Sequence, residues 1–304
     1  MIKNLIIKVA RQTLLNRKFQ AAMILTVIGL GFSVSKTTAQ SLNWQGQTGA
    51  FITPFAYNSP SKKNKVGRPS LSFHYLGGGE VIGDNYQTSI TVGMFGRTEF
   101  GYTRTFTKTG NTPGLSPLFG GGFNTFHGKV NIVPENVKKN KFVPAISVGF
   151  VARTQVRRVG GRITNKDTSN GDLFIVGTKT ITAIEKLPIV LNFGWKATNG
   201  SLMGLAGNAS TWQGRFFGAA AVVVPGPLKS KLVIGTEFSQ EPRHIKDLPG
   251  AVIPTSRTYF VRILPMPEKP FNIDFGIAQA AGKIAPGVDV KAHNRFAMGI
   301  SYRF

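Results

Sequence analysis

The sequence contains no cysteine among its 304 residues. This absence excludes disulfide bonds, thiolate metal sites, cysteine nucleophiles and a lipid anchor attached through cysteine. It also contains no run of about eighteen apolar residues beyond its N-terminal region, so no membrane-spanning helix is expected there. A chain without disulfide bonds or a membrane-spanning helix needs another source of stability. A β-sheet that closes on itself, and so has no exposed edge strand, is one solution.

Acidic residues are scarce, since 13 Asp and Glu stand against 37 Lys and Arg. Residues 1–39 contain six of the basic residues and no acidic one, so the positive excess persists in the rest of the chain. An excess of this kind is compatible with an anionic lipid surface, an anionic solute or nucleic acid as partner.

The first 39 residues have the layout of a secretory signal peptide. Five basic residues precede the apolar stretch Ala21–Val34, and the small residues Thr37-Thr38-Ala39 follow it. The stretch is shorter than the roughly 20 residues of a spanning helix, which favours a signal peptide over an uncleaved anchor. Because the chain is exported, we expect no nucleic-acid partner.

Beyond residue 70 the dominant signal is an alternation of apolar with small or polar residues, which is typical of β-strands. The last segment is the clearest, because Phe296, Met298, Ile300, Tyr302 and Phe304 alternate with small or polar residues. Eleven further strands are predicted near residues 70–76, 86–95, 98–107, 124–133, 146–151, 173–182, 189–196, 215–224, 231–238, 257–263 and 271–278.

The connections between these segments alternate between short and long, as in an up-and-down barrel with short turns at one end and long loops at the other. The C-terminal phenylalanine resembles the signal that the barrel-assembly machinery reads, which would use Phe296, Met298, Ile300, Tyr302 and Phe304. The sequence thus predicts an all-β protein, a single antiparallel transmembrane β-barrel of about twelve strands over residues 70–304. Its location would be the bacterial outer membrane, with membrane lipid as a partner.

Residues 40–69 do not fit this count. Gly49–Phe55 looks strand-like, yet a thirteenth strand would break the even number. We interpret the region as a periplasmic or plug-like segment that lies against or inside the barrel mouth. A true additional strand is the alternative.

If the apolar positions face outward, the inward charged positions comprise seven basic and three acidic residues. The basic residues are Lys129, Arg153, Lys196, Lys231, Arg262, Arg295 and Arg303, and the acidic residues are Glu99, Glu237 and Asp274. Such charges either form a paired network that fills a narrow barrel or attract anionic solutes through a channel. The sequence leaves both interpretations open.

No sequence pattern indicates catalysis. Phosphate-binding, zinc-protease and nucleophile-elbow motifs are absent. His74 and His127 are predicted to face the lumen, but the sequence links neither of them to a nucleophile. We therefore predict no enzyme activity, no catalytic residue, no metal ligand and no cofactor.

Several glycine-containing blocks resemble a family of exported bacterial proteins defined as domain of unknown function 3034. The blocks are Gly49–Ala56, Thr91–Tyr102, Asp172–Lys179 and Leu191–Asn199. The family is in turn distantly similar to barrels associated with exopolysaccharide export. This resemblance implies an outer-membrane barrel and supplies no functional residues.

Together, these features predict a passive channel or transporter for small anionic or amphiphilic solutes. The first alternative is a structural or accessory envelope barrel with a closed lumen, linked to surface polysaccharide. A lipid-modifying barrel enzyme is a less favoured alternative.

Overall fold

The computed structural model describes residues 41–156, 169–182, 187–243, 252–266, 269–285, 288–289 and 291–304. The predicted signal peptide, residues 1–39, lies outside them. The described barrel strands are β1 (Ser70–Gly77), β2 (Asp84–Met94), β3 (Thr98–Lys108), β4 (Phe123–Val133), β5 (Ala145–Thr154), β6 (Asn170–Ile181), β7 (Ile189–Gly200), β8 (Asn208–Pro225), β9 (Lys231–Gln240), β10 (Val252–Leu264), β11 (Phe271–Ala285) and β13 (Ala292–Arg303). The short elements are strand β12 (Val288–Asp289), helix α1 (Gly79–Ile82) and the 3₁₀ turns Ser116–Phe119, Val137–Lys139, Ser201–Gly204 and Pro227–Lys229.

Each barrel strand pairs antiparallel with the next, and β1 pairs with β13, for example Phe73 with Ile300. The twelve described strands therefore close into one up-and-down barrel, which confirms the predicted fold class. Several strands extend further than predicted, since β8 begins at Asn208 and β11 ends at Ala285. These extensions lack a clear apolar alternation, so the sequence pattern does not reveal them.

The barrel has two ends that differ in their connections. Residues 95–97 and 226–230 connect strands at the short-turn end, where Ser70 begins β1 opposite Arg303 of β13. Residues 109–122 and 201–207 connect strands at the other end, called here the long-loop end.

The outer wall is apolar and the inner wall is polar. Phe193 and Leu173 are 59% and 58% exposed on the outer face, whereas Glu99 and Thr103 on the inner face are fully buried. This is the reverse of a soluble sandwich and matches a barrel whose outer face meets lipid.

Several inward-facing glycines make room for large side chains on neighbouring strands. Gly299 is the cross-strand partner of His74, and Gly101 is that of His127. A Cβ atom at either glycine would stand 2.4 Å from the facing imidazole ring. The small inner residues therefore allow rings to pack inside the barrel rather than leave an empty pore.

Candidate functional site

The barrel lumen is occupied by residues 41–59 of the same chain, called here the lumen segment. The segment is not a barrel strand and makes only isolated bridges, between Leu42 and Thr48 and between Gly49 and Pro54. The side chains of Trp44 and Phe51 within it are fully buried.

A local turn gives the lumen segment its compact start. The amides of Gln45 and Gln47 both donate to the Asn43 side-chain oxygen, at 3.0 and 2.9 Å. This is the local hydrogen bonding that makes asparagine frequent in turns. Gly46 adopts a φ of +84°, and a Cβ there would stand 2.4 Å from the Thr103 hydroxyl. Only glycine fits this approach to the wall.

Both ends of the lumen segment lie towards the short-turn end of the barrel. The Ser41 hydroxyl donates to Asn272, near the start of β11, and lies 3.5 Å from the hydroxyl of Ser301 near the end of β13. Ser59 contacts Gly93, which lies near the last residue of β2. Ile52, between them, packs under the loop between β7 and β8 at the long-loop end. The segment is therefore re-entrant.

Glu99 and Lys129 hold one side of the lumen segment. The Glu99 carboxylate accepts hydrogen bonds from the amides of Thr48 (2.9 Å) and Ser59 (2.7 Å) and from the Thr48 hydroxyl. Lys129 Nζ lies 3.4 Å from the same carboxylate and donates to the carbonyls of Thr48 (3.0 Å) and Phe55 (2.8 Å). An ion pair on the wall thus binds the main chain of the segment through both donors and acceptors.

Glu237 holds the turn of the segment nearest the long-loop end. Its carboxylate accepts from the amides of Ile52 (2.7 Å) and Thr53 (2.8 Å) and from the Thr53 hydroxyl (2.8 Å). These bonds stabilise a buried carboxylate without requiring a cation in direct contact.

Arg262 holds the centre of the segment. Its guanidinium donates to the carbonyls of Gly49 (3.1 Å) and Ala50 (3.0 Å), and it pairs with Asp274 at 2.7 Å. All of the bonds from Arg262 to the segment reach main-chain atoms, so they depend on the path of the segment more than on its side chains.

Two further lumen cations pair with acidic residues of the wall or its rim. Arg153 lies 2.5 Å from Asp172, and Lys196 lies 2.9 Å from the Ser239 hydroxyl and 3.8 Å from Glu241. Burial raises the pKa of Glu241, and the nearby Lys196 partly offsets that rise.

Three of the predicted lumen residues lie near the barrel ends. Lys231 is exposed at the first position of β9, and Arg303 is buried at the last position of β13. Arg295 is half-buried towards the long-loop end and donates to the carbonyl of Lys291. The structure therefore brings seven of the ten predicted residues into the lumen network and leaves these three apart from the lumen segment.

Sequence reasoning missed two acidic members of this network, Asp172 and Glu241. Asp172 lies on the inner face of β6 together with Phe174 and Val176. Because that face is largely apolar, its alternation did not identify Asp172 as a lumen residue. The lumen network among the described residues therefore comprises four basic and five acidic side chains. The positive excess that the sequence predicts rests on Lys231, Arg295 and Arg303 near the barrel ends.

The two lumen histidines are covered by the segment. The His74 ring packs edge-on against the rings of Trp44 and Phe51, with centroids 6.2 and 5.8 Å away. His127 Nε2 lies 3.3 Å from the hydroxyl of Thr91, which donates its proton to a carbonyl of the segment. This arrangement gives neither histidine an accessible nucleophile to activate.

The apolar residues of two long loops cover the barrel mouth. Leu202, Met203 and Leu205 are buried, as is Phe119 of the loop between β3 and β4. A small apolar cavity of about 40 Å³ remains between Ile52 and the loop from β7 to β8. The described residues of these two loops therefore pack against the lumen segment at the long-loop end.

Within the described part of the chain, no three or more His, Asp or Glu side chains are grouped so as to hold a metal ion. None of the described helices has the length and apolar character needed to cross a membrane.

Comparison with known proteins identifies one family. The family model described as "Protein of unknown function (DUF3034)" matches residues 38–273, which is most of the chain. No curated protein shows a significant sequence match.

Several solved structures share the barrel architecture at low similarity. The KdgM porin is 8% identical, with a TM-score of 0.44 over 77% of this chain and 99% of that one. The NanC porin is 9% identical, with a TM-score of 0.44 over 78% and 98%. The DcaP channel of Acinetobacter baumannii is 10% identical, with a TM-score of 0.32 over 85% and 70%. Likenesses at this level carry no argument about function.

Proposed function

The chain belongs to the DUF3034 family, and we propose that it is an outer-membrane channel for small anionic or amphiphilic solutes whose own N-terminal segment holds it closed. The membrane setting is supported by the outer wall, where large apolar side chains such as Phe193, Leu173 and Phe296 are exposed around the barrel. A continuous wall of this kind is costly in water and suits the hydrocarbon of a bilayer.

The observation that carries the proposal is the re-entrant course of the lumen segment. Since both of its ends lie towards the short-turn end, the segment is able to withdraw without threading through the barrel. Most of its bonds to the wall are polar, and each typically contributes only about 0.5–1.5 kcal/mol net because water replaces it. The contacts thus resemble those of a plug more than those of a permanent apolar core.

The preference for anions is supported by donors that withdrawal would expose on the wall and by the positive charge of Lys231, Arg295 and Arg303 near the barrel ends. Lys129 and Arg262 would lose their carbonyl acceptors on the segment and would offer those donors to a solute. Glu99 and Glu237 would become free at the same time, which limits the positive potential. An amphiphilic solute would find apolar wall at Ala221 and neighbouring positions.

A planar-bilayer experiment tests the channel. We expect residues 40–304 to be nearly silent, and a variant lacking residues 41–57 to conduct with a mild anion selectivity. Replacing Lys129, Arg153 and Lys196 with glutamine in that variant should reduce the selectivity. Silence of the deletion variant, once its heat-modifiable gel migration shows a folded barrel, would contradict the proposal.

Point substitutions test the same claim without a deletion. The double variant Glu99→Gln/Glu237→Gln weakens both acidic holds on the segment and should raise the fraction of time in a conducting state. The matched control is Glu80→Gln/Asp289→Asn, because these acids pair with Lys291 and His293, away from the lumen segment. Equal conductance in the two double variants would count against the role of the segment.

A second candidate is a structural or accessory envelope barrel with a permanently closed lumen, with a link to surface polysaccharide. It is favoured by the complete burial of Trp44 and Phe51 and by the buried ion pairs around them. This candidate predicts that loss of residues 41–57 lowers the stability of the barrel and produces no conductance.

A further inference from the structure

A groove of about 620 Å³ lies on the outer wall, across β8, β9 and β10. Its floor is shallow because the outward residues there are small: Gly218, Ala220 and Thr236. Larger outward side chains, Phe238 and Tyr259, border this floor. The outward lining residues lie on the face of these strands opposite the lumen, and three residues of the inner face, Asn192, Ala219 and Glu237, also line the groove.

One side of the groove carries a cation, Arg257. Arg257 is exposed on the outer face of β10 and has no acceptor or anionic partner among the described residues. Its register neighbours are Phe238 on β9 and Gln279 on β11. An outward arginine on a lipid-facing wall is unfavourable near the membrane centre and is tolerated near the interface.

The outer-face sequence places Arg257 at such an interface. Along β10 the outward residues run from Ile263 and Val261 to Tyr259 and then Arg257, towards the long-loop end. The change from aliphatic to aromatic to charged residues is the order expected where hydrocarbon gives way to head groups. Arg257 therefore lies at the depth of the lipid phosphates in the membrane.

We propose that this groove binds one anionic lipid of the leaflet at the long-loop end. Its phosphate accepts hydrogen bonds from Arg257, and an acyl chain lies over Gly218, Ala220 and Thr236. A guanidinium is well suited to phosphate because it presents several donors in one plane. A lipid is favoured over a protein partner because the floor is formed by small side chains on a membrane-facing wall, beside one cation at head-group level. The inference requires insertion in a membrane but not conduction through the lumen.

Lipid titration followed by native mass spectrometry tests the site. The probe is dimyristoylphosphatidylglycerol added to the folded chain (residues 40–304) in detergent, with phosphatidylcholine as the zwitterionic comparison. We expect Arg257→Gln to weaken phosphatidylglycerol binding roughly tenfold or more, as for the loss of a hydrogen bond to a charged group. Ala220→Phe, which fills the groove, should weaken binding of both lipids.

Arg104→Gln is the matched control. Arg104 also faces outward, but its guanidinium already donates to Asn124 (3.0 Å) and to the carbonyl of Gly121 (3.3 Å). Its replacement should leave lipid affinity unchanged. If Ala220→Phe fails to give the heat-modifiable folded band, Thr236→Leu tests the same floor with a smaller change.

Four results would overturn the proposal: unchanged affinity in Arg257→Gln, an equal loss in Arg104→Gln, unchanged affinity in the folded groove-filling variant, or competition by inorganic phosphate as effective as that by the lipid. The last result would indicate a site for soluble anions. Because the readout is lipid binding, a silent channel in the bilayer experiment would leave this result unaffected.

Discussion

Replacing Glu99 with glutamine should destabilise the whole barrel, because this carboxylate joins the wall to the lumen segment. It is fully buried and accepts hydrogen bonds from Thr48 and Ser59 while it pairs with Lys129 at 3.4 Å. Glutamine has nearly the same size, so the change removes charge and acceptors without creating a cavity.

The expected magnitude follows from what Glu99→Gln leaves behind. Lys129 keeps its carbonyl acceptors but loses its only anionic contact among the described residues. Removing one partner of a buried ion pair typically costs about 3–5 kcal/mol. Glutamine still accepts through one oxygen, so at least one segment donor loses its acceptor as well.

Chemical unfolding of the barrel in lipid vesicles measures this loss as a change in the free energy of unfolding. Glu80→Gln is the control, because its partner Lys291 and Glu80 itself are largely exposed, and such pairs contribute about 0–1 kcal/mol. The double variant Glu99→Gln/Lys129→Met should lose less free energy of unfolding than the sum of the losses in the two single variants. A loss in Glu99→Gln no larger than in Glu80→Gln would refute the reasoning.

Three other results are expected. Gly299→Ala should lower the free energy of unfolding by about 1–3 kcal/mol, because the new Cβ overpacks against His74. Gly177→Ala should be tolerated, because the nearest atoms are 3.8 Å from its new Cβ. Thermal or chemical unfolding compares the two variants, and equal stability would contradict the prediction. In a chain that keeps Trp44 as its only tryptophan (Trp195→Phe/Trp212→Phe), Trp44 should resist acrylamide quenching and become accessible once Glu99→Gln/Glu237→Gln is added, with unchanged protection as the contrary result. Phe304→Ala should lower the yield of barrel assembled in cells more than it changes stability after refolding, and normal assembly would argue against the terminal signal.

The barrel itself could be predicted from the sequence because each strand is a local pattern. The alternation in β13 or β7 can be recognised from neighbouring residues alone. Because one face of each strand contacts lipid, that face is apolar and the alternation is regular. The pattern weakens where strands rise beyond the apolar band. For this reason the first residues of β8 and the last of β11 were not predicted.

The arrangement inside the lumen depends on contacts between residues far apart in sequence. Ile52 bonds to Glu237, 185 positions away, and no periodic pattern encodes that pairing. The sequence placed residues 40–69 either at the barrel mouth or in an extra strand, and it did not specify the re-entrant path. Asp172 and Glu241 were missed because both lie just outside the predicted strands 173–182 and 231–238.

An engineered disulfide between the lumen segment and the wall tests the central claim most directly. The Ser41 and Ser301 hydroxyls lie 3.5 Å apart, and the chain has no cysteine of its own, so Ser41→Cys/Ser301→Cys introduces a single defined bond. The matched control is Asn85→Cys/Thr107→Cys, whose side chains are hydrogen-bonded at 2.9 Å across β2 and β3 and bridge wall to wall.

Both pairs are placed in the Glu99→Gln/Glu237→Gln background, and single-channel conductance is measured before and after reduction. A displaceable segment predicts that the Ser41–Ser301 lock is silent when oxidised and conducts once reduced, while the wall-to-wall control conducts in both states. The same conductance from the segment lock in both redox states would contradict the account.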